Sequence, residues 1–267
     1  MHTLTVPGSA APGSAAPSAR PARVAVAGAT GYTGQELLRI LSRHPAVTLM
    51  AAMSSGTTAS RKLPALARLW NGDITPLSPE RLREAEVVFL ALPDAAAAGL
   101  APDLVEAGVR VIDLSGAFRL KDAADRARWY PETHRLPNGL VYGLTELERH
   151  AVSTARLVAN PGCYPTAALL AIAPLAAAGL LAPDSDIVVD AKSGVSGAGK
   201  TPSERTHFSE IHGSLSAYGV FGHRHGVEIQ QGVAVSHVVT FVPHLVPLDR
   251  GILATIYVRL AAGTTEE

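Results

Sequence analysis

The chain has a single cysteine and no net charge, and each of these features excludes a class of protein. Its 267 residues include one cysteine, Cys163, which rules out a disulfide framework and any multi-cysteine metal site. Lys and Arg number 23 and so do Asp and Glu, so the basic excess typical of nucleic-acid-binding proteins is missing. Hydrophobic residues make up 47%, enough for a chain of this length to bury a sizeable core. We expect a globular, cytoplasmic protein with no nucleic-acid partner.

Bulky apolar residues are nearly absent from residues 1–22, which are mostly Ala, Pro, Gly and Ser. This composition predicts a disordered tail, and it lacks the charged and Leu-rich regions of a signal peptide. Charge is absent between residues 163 and 183, a stretch long enough to suggest a membrane span. Pro165, Pro174 and the high alanine content favour a buried core helix instead, so we expect no membrane partner.

Strand-like and helix-like segments alternate in the first part of the chain. The strand candidates are 23–28, 47–53, 86–92 and 109–115, with helix candidates at 31–44 and 98–107 between them. This alternation predicts an α/β fold with a doubly wound parallel sheet, forming a dinucleotide-binding domain over 23–160.

The pattern changes after residue 160. A long helix candidate at 164–178 precedes strand candidates at 186–191, 233–242 and 251–260. One helix followed by several strands predicts an α+β domain over 161–267 with a largely antiparallel sheet.

A glycine-rich turn lies between the first predicted strand and the first predicted helix. Small residues there let the backbone approach a pyrophosphate, and the helix N-terminus supplies free N–H groups. The G-x-x-G-x-x-G spacing meets the dinucleotide fingerprint only in part, so a turn without a ligand is the alternative. The candidate cofactor-binding residues are Gly28, Thr30, Gly31, Tyr32, Thr33 and Gly34.

The choice of dinucleotide follows from a missing carboxylate. NAD-selective sites place Asp or Glu about 20 residues after the turn, whereas residues 37–71 contain no acidic residue. Ser54, Ser55 and Arg61 stand there instead, and hydroxyls with a guanidinium suit a 2′-phosphate. This favours NADP, the alternative being an ordinary solvated loop.

Cys163 lies in the segment Asn160-Pro-Gly-Cys-Tyr-Pro-Thr166, at the start of the long apolar helix. A thiol in a first helical turn experiences the N-terminal dipole, which favours the nucleophilic thiolate. The alternative is a cysteine that serves only as a small hydrophobic residue. His223, Arg224, His225 and Glu228 supply a base and a carboxylate, with His225 and Glu228 at helical i, i+3 spacing. No third ligand of suitable spacing accompanies them, so we expect no metal.

Together these segments resemble a known family, the N-acetyl-gamma-glutamyl-phosphate reductases. Aspartate-semialdehyde dehydrogenases are similar in plan, but the DLSGAFR and HRHGVEI blocks match the first family better. The matching blocks are GATGYTG (28–34), DLSGAFR (113–119), YGLTE (142–146), NPGCYPTA (160–167), SGVSGAGK (193–200), HRHGVEI (223–229) and FVPHLVPLDRGIL (241–253).

The resemblance implies an oxidoreductase of arginine biosynthesis. It would use NADPH to reduce N-acetyl-L-glutamyl 5-phosphate to the 5-semialdehyde, releasing phosphate. Cys163 would form a thioester, His225 would act as acid and base with His223 beside it, and Glu228 would orient the site. A homo-oligomer is also implied.

Further candidates surround these residues. Arg119 and Arg224 can bind the phosphate and carboxylate of the substrate through their planar forks, although Arg119 could equally be a structural pairing residue. Ser115, just after a parallel strand, is a third substrate candidate. In the Gly/Ser loop, the candidates for contact with the cofactor are Ser193, Gly194, Ser196 and Gly197, the alternative being a plain turn.

Two departures from the family pattern qualify this expectation. Val227 stands where the family usually has Pro, and the chain stops at 261–267 where family members continue. We therefore keep two alternatives: a related reductase of the lysine or aspartate pathways, and a catalytically silent NADP-binding protein. Competition between substrates distinguishes the related reductase from the main hypothesis. The silent protein is distinguished by Cys163, which would be no more reactive than a free thiol.

Overall fold

The computed structural model of the chain describes residues 20–54, 62–68, 70–233 and 236–265. The predicted tail lies mostly outside this part, as do the candidate cofactor ligands Ser55 and Arg61.

A seven-stranded parallel sheet forms the first half of the structure, in the order β3-β2-β1-β4-β5-β7-β6. Its strands are β1 (Ala22–Ala27), β2 (Val47–Ser54), β3 (Ile74–Pro76), β4 (Val87–Leu90), β5 (Arg110–Asp113), β6 (Leu140–Tyr142) and β7 (Leu157–Ala159). The α-helices along this half are α1 (Tyr32–Leu41), α2 (Pro79–Leu82), α3 (Asp94–Glu106), α4 (Ala123–Trp129) and α5 (Thr145–Thr154).

Two hydrophobic clusters cover the two faces of this sheet. Val24 and Val26 of β1 pack with Leu38 of α1, whereas Ala25 and Ala27 belong to the cluster that contains α3. Successive residues of a strand point to opposite faces, so burial on both faces produces the continuous apolar runs seen in the sequence. The predicted doubly wound parallel sheet is confirmed. The strand order reverses between β1 and β4, the position where open α/β sheets bind ligands.

The second half is built on a four-stranded sheet in the order β11-β8-β10-β9. Its strands are β8 (Ile187–Gly194), β9 (Ser216–Ala217), β10 (Val239–Val246) and β11 (Ile252–Tyr257), and its α-helices are α6 (Cys163–Ala177), α7 (Phe208–Ile211) and α8 (Arg224–Gln230). Two of the three strand pairings are antiparallel, but the longest, β8 with β10, is parallel, so the sheet is mixed.

Helix α6 is the long apolar helix that the sequence predicts. Ala168, Leu169 and Ile172 are buried against Ile187 and Val189 of β8. This packing accounts for the uncharged stretch of sequence. In the described part of the chain, no helix combines the length and the apolar character needed to cross a membrane.

Candidate active site

The glycine turn connects β1 to α1 and packs against Ala91, just after β4, where the strand order reverses. Gly28 has φ +86° and its N–H donates to the Met53 carbonyl at 2.8 Å. A Cβ at Gly28 would lie 2.0 Å from the Ala91 carbonyl oxygen, and a Cβ at Gly34 2.2 Å from the Gly28 carbonyl oxygen. Both glycines are therefore required by the close packing of strands and helix.

The N-terminus of α1 fits a pyrophosphate. Gly31, its N-cap, provides no side-chain cap, and a Cβ there would meet only the Gly28 carbonyl oxygen, at 3.6 Å. Because first-turn amides have no intrahelical acceptor, those of Tyr32 and Thr33 are available to an anion. The Thr30 carbonyl oxygen has a partner within the turn, because it accepts a hydrogen bond from the Gln35 side-chain amide at 2.8 Å.

The end of β2 is the place where a dinucleotide's ribose is selected. Ser54 ends this strand and is buried. Lys62 is occupied elsewhere, because its ammonium donates to the Asn71 carbonyl at 2.7 Å and lies 3.9 Å from Asp73.

Cys163 begins α6 directly after β7. The loop before it is fixed to the neighbouring strand, because the Asn160 N–H donates to the Asp113 carbonyl at 2.8 Å. The side chain of Cys163 is exposed at the mouth of a pocket, yet the pocket walls desolvate the sulfur and so raise the pKa of the thiol. The N–H groups of Cys163 and Tyr164 oppose this effect without overcoming it. The first-turn N–H groups thus favour the thiolate, as the sequence predicts, but desolvation outweighs them and the net effect is a raised thiol pKa.

The two predicted histidines line the same pocket as Cys163. His223 is the N-cap of α8, its Nδ1 accepting the His225 N–H at 3.1 Å, and the two imidazole rings lie 4.9 Å apart. The pocket has a volume of about 280 Å³. Its lining residues are Cys163, Tyr164, Ser193, Gly197, Ala198, Arg205, Tyr218, His223, Arg224, His225 and Leu245.

Both histidines are neutral at physiological pH. Desolvation lowers the pKa of His225 to about 2, with the neighbouring His223 and two arginines adding to the effect. Desolvation likewise lowers the pKa of His223 to about 4, aided by Arg224. The Nδ1 atom of His225 is buried and has no hydrogen-bond partner among the described residues. A neutral imidazole beside a protonated thiol can accept its proton, as a general base does.

Glu228 holds the backbone just before Cys163. Its buried Oε1 accepts the Gly162 N–H at 2.8 Å and the Tyr142 hydroxyl at 2.9 Å. Its Oε2 lies 3.6 Å from a guanidinium nitrogen of Arg119. Desolvation raises the pKa of this carboxyl, against the lowering effect of Arg119 and the two donors. The carboxylate thus positions the loop and does not line the thiol pocket.

Arg119 has the contacts of a structural pairing residue. Its Nε donates to the Asn160 carbonyl and its Nη2 to the Leu114 carbonyl, both at 2.8 Å. It is 7% exposed, and with the Glu228 contact each of its three nitrogens has a protein partner. The structure therefore places Arg119 behind the cysteine loop.

Arg224 and Ser115 also have partners within the chain. A nitrogen of Arg224 donates to Asp94 at 2.8 Å, and Asp94 also accepts the Gly116 N–H. This pair ties α8 to the start of α3, although Arg224 still lines the pocket. The Ser115 hydroxyl donates to Asp113 at 2.7 Å and shapes the turn after β5.

The Gly/Ser loop after β8 lies between two cavities. The second cavity, of about 420 Å³, is lined by Tyr32 and Thr33 at the start of α1 and by Ser196 and Gly197 of the loop. Gly197 also lines the thiol pocket, as does Ser193, whereas a Cβ at Gly194 would lie 2.8 Å from the backbone of Arg250. The glycine turn and the thiol therefore face adjoining cavities.

Tyr142, Asp94, Tyr218 and Arg205 belong to this region, and sequence reasoning did not single them out. Each contacts a residue far away in sequence, such as Tyr142 with Glu228 or Asp94 with Arg224. No local spacing marks such partners. Among the residues that the structure describes, no three His, Cys, Asp or Glu side chains are grouped closely enough to hold a metal ion.

Gly162 offers a test of how closely this site is packed. Its φ of −63° suits any residue, but a Cβ would lie 2.5 Å from His225 Nε2 and 3.0 Å from Arg119 Nη1. We expect Gly162→Ala to displace His225 and to lower kcat by about 100-fold or more, because small displacements of catalytic groups carry that cost. Steady-state kinetics measure this loss.

Gly99→Ala is the matched control, because nothing lies within 4 Å of a Cβ at that helical position. We expect it to leave kcat unchanged and to stabilise α3 by about 0.5–1 kcal/mol. A Gly162→Ala protein with normal kcat would show that His225 tolerates displacement or has no part in the reaction.

Comparison with known proteins identifies relatives of the chain. Residues 23–155 match the family model of the semialdehyde dehydrogenase NAD binding domain, and residues 163–267 match that of the semialdehyde dehydrogenase dimerisation domain. The chain is 47% identical over 256 residues to an N-acetyl-gamma-glutamyl-phosphate reductase of Syntrophobacter fumaroxidans, covering 92% of this chain and 74% of the relative. It is 49% identical over 248 residues to that of Laribacter hongkongensis, covering 89% and 72%.

A solved structure shares the fold. Aspartate semialdehyde dehydrogenase II from Vibrio cholerae, complexed with ASA, superposes with a TM-score of 0.69 at 20% identity. The match covers 91% of this chain and 76% of that one. At this identity the likeness concerns the fold alone.

Proposed function

The chain belongs to the N-acetyl-gamma-glutamyl-phosphate reductase family, and we propose that it catalyses the reaction for which its relatives are named. It reduces N-acetyl-L-glutamyl 5-phosphate to the 5-semialdehyde with NADPH and releases phosphate. It is therefore an NADP-dependent oxidoreductase of arginine biosynthesis.

One observation carries the proposal: Gly197 lines both the cavity at the start of α1 and the pocket of Cys163. A dinucleotide whose pyrophosphate lies at the α1 N-terminus can extend through the first cavity toward the second. Its reactive ring would then face an acyl group held on the thiol. The Gly/Ser loop, with Ser193, Ser196 and Gly197, would surround that end of the cofactor.

NADPH fits the residues present. The α1 N-terminus offers uncapped amides for the pyrophosphate, and Gly31 leaves space in front of them. The second strand ends in Ser54 without a carboxylate that would repel a 2′-phosphate. When bound, the cofactor supplies a hydride to the acyl carbon.

In the acylation step, His225 accepts the thiol proton of Cys163 while the sulfur attacks the carbonyl carbon of the acyl phosphate. A carbon–sulfur bond forms, and the carbon–oxygen bond to phosphate breaks with its electron pair. Phosphate leaves and takes a proton from water. Splitting the reduction in this way replaces one difficult step with two easier ones.

After reduction of the thioester, the protonated His225 donates to the alkoxide oxygen. It then takes the hydroxyl proton back as the carbon–sulfur bond breaks, and returns it to the sulfur of Cys163. The aldehyde leaves and the thiol is restored. His223 holds the His225 N–H as the N-cap of α8, and Glu228 acts through Gly162 as a positioning residue.

We also propose the domain organisation, the oligomeric state and the location of the protein. We place the dinucleotide-binding domain at 23–160 and the catalytic domain at 161–267, with the boundary at the loop before Cys163. The match to a dimerisation domain supports a homo-oligomer. We also propose a cytoplasmic location, where NADPH and a reduced thiol are maintained.

Turnover with purified protein tests the proposal directly. We expect NADPH oxidation, followed by its absorbance, with N-acetylglutamyl phosphate and much slower oxidation with aspartyl phosphate. Tight NADPH binding without turnover on any acyl phosphate would contradict the enzyme assignment and support the silent alternative. A preference for aspartyl phosphate would contradict the substrate assignment.

The protonation states of the site give a pH prediction. Because the thiol pKa is raised and that of His225 is about 2, Cys163 and His225 form no thiolate–imidazolium pair near neutral pH. We expect alkylation of Cys163 by iodoacetamide to speed up about tenfold per pH unit from about pH 6 to about pH 8. Mass spectrometry of samples quenched at successive times measures the rate of alkylation. A rate that is already constant across this range would show a preformed thiolate.

A further inference from the structure

The cations predicted for substrate binding are already neutralised by the protein. Arg224 pairs with Asp94 at 2.8 Å. Arg119 pairs with Glu228 at 3.6 Å and also donates to two carbonyl groups. An anion that binds either guanidinium must compete with a carboxylate. The substrate, however, carries both a phosphate and a carboxylate.

Arg205 is one of two arginines, with Arg224, that line the thiol pocket. It lies in the 3₁₀ turn Glu204–Thr206 and is exposed. No carboxylate of the described residues lies within 4 Å of its side-chain nitrogens, although Glu204 and Glu210 line the neighbouring cavity with it. Its guanidinium therefore lines the pocket of Cys163 without an ion-pair partner among the described residues.

One aromatic contact directs the Arg205 side chain toward the pocket. Its guanidinium carbon lies 5.7 Å from the centre of the Tyr218 ring. The Tyr218 hydroxyl lies 3.2 Å from that of Tyr164, which follows Cys163 in the chain. The guanidinium thus packs against a pocket-lining ring while its nitrogens remain available for a ligand.

We propose that Arg205 binds an anionic group of the substrate, its phosphate or its carboxylate, in the pocket of Cys163. The inference rests on the proposed function for the identity of the substrate. Its chemistry is general: a planar guanidinium binds either oxyanion through two parallel hydrogen bonds. Because no carboxylate has to be displaced, this binding energy is not spent on breaking an ion pair.

Alkylation of Cys163 tests the proposal without turnover. Iodoacetate carries an anion and iodoacetamide does not, so the ratio of their rates reports a cation near the sulfur. We expect Arg205→Met to lower this ratio by about twofold or more, the effect of a unit charge within about 10 Å in water. Arg205→Lys should retain most of the ratio, and Arg43→Met, which changes an exposed arginine away from the pocket, should leave it unchanged. An unchanged ratio in Arg205→Met would overturn the proposal.

Kinetics of the reverse reaction identify the anionic group. Semialdehyde and inorganic phosphate are then separate substrates, each with its own KM. A rise of about tenfold in the KM of phosphate in Arg205→Met assigns the phosphate, and the same rise for the semialdehyde assigns the carboxylate. If neither KM rises, Arg205 does not bind the substrate. If the wild-type chain shows no turnover, the proposed function fails, and the alkylation ratio still decides on Arg205.

Discussion

Replacement of Cys163 by Ser is expected to lower kcat by about 10⁴-fold or more, a loss of roughly 5–6 kcal/mol of transition-state stabilisation. The hydroxyl is a far weaker nucleophile and a far weaker acid than the thiol, so His225 takes its proton much less readily. The carbonyl carbon would then meet no effective nucleophile. NADPH oxidation in the presence of N-acetylglutamyl phosphate measures the loss.

The same variant should keep its fold and its cofactor. Serine is nearly isosteric with cysteine, and Cys163 is exposed at the pocket mouth, so the Tm is expected to change by about 1 °C or less. NADPH affinity should equal that of the wild-type chain, because the α1 N-terminus is untouched. A Cys163→Ser protein with a rate within tenfold of wild type would contradict covalent catalysis.

Replacement of Glu228 by Ala is expected to cost about 3–5 kcal/mol in the free energy of unfolding, since it leaves a buried guanidinium without its counter-charge. The Gly162 N–H and the Tyr142 hydroxyl also lose their acceptor. For a chain of this size the loss corresponds to a fall in Tm of about 10 °C. Because the cysteine loop loses its anchor, kcat should fall by about 100-fold. Thermal unfolding and steady-state kinetics measure the two effects.

Glu228→Gln separates positioning from charge. The amide oxygen can still accept both hydrogen bonds, so the loop keeps its place while Arg119 loses its counter-charge. We expect kcat within about tenfold of wild type, with a fall in Tm intermediate between those of wild type and Glu228→Ala. Glu84→Ala, which removes an exposed carboxylate, is the control and is expected to change neither Tm nor kcat. If the Gln and Ala variants lose kcat equally, the carboxylate acts by its charge and not by positioning.

Local chemistry made the glycine turn and the thiol predictable from sequence. Gly28 has a positive φ, and at Gly34 a Cβ would clash with the backbone of the turn. Glycine is the residue that satisfies both conditions, so the residue type itself indicates the turn. Cys163 stands out because it is the sole cysteine and opens an apolar helix. Each of these features depends on neighbours within a few residues, which is the range over which sequence patterns are informative.

The positioning network could not be predicted in the same way. The hydrogen bonds of Glu228 join it to Gly162, 66 residues away, and to Tyr142, 86 residues away. The i, i+3 spacing predicts that Glu228 shares a helical face with His225. In the structure its carboxylate lies behind the cysteine loop, where it accepts the Gly162 N–H. Arg119 illustrates the same limit, since pairing and substrate binding require the same residue type and differ only in tertiary contacts.

Strand boundaries show a further limit. The predicted strand at 233–242 begins at Val239, because the Gln230 side chain binds the His237 carbonyl and the Val239 N–H as the chain leaves α8. Strands β3, β6 and β9 have only two or three residues, too few for an alternating pattern. Their pairing is decided by the longer strands beside them.

In the proposed mechanism the acyl group passes through a thioester on Cys163. Intact-mass spectrometry after mixing the chain with N-acetylglutamyl phosphate, without NADPH, tests it most directly. We expect a mass gain of one N-acetylglutamyl group, mapped to the peptide containing Cys163, lost on adding NADPH and absent from Cys163→Ser. Turnover with NADPH under conditions in which no such adduct forms would exclude a thioester intermediate on Cys163.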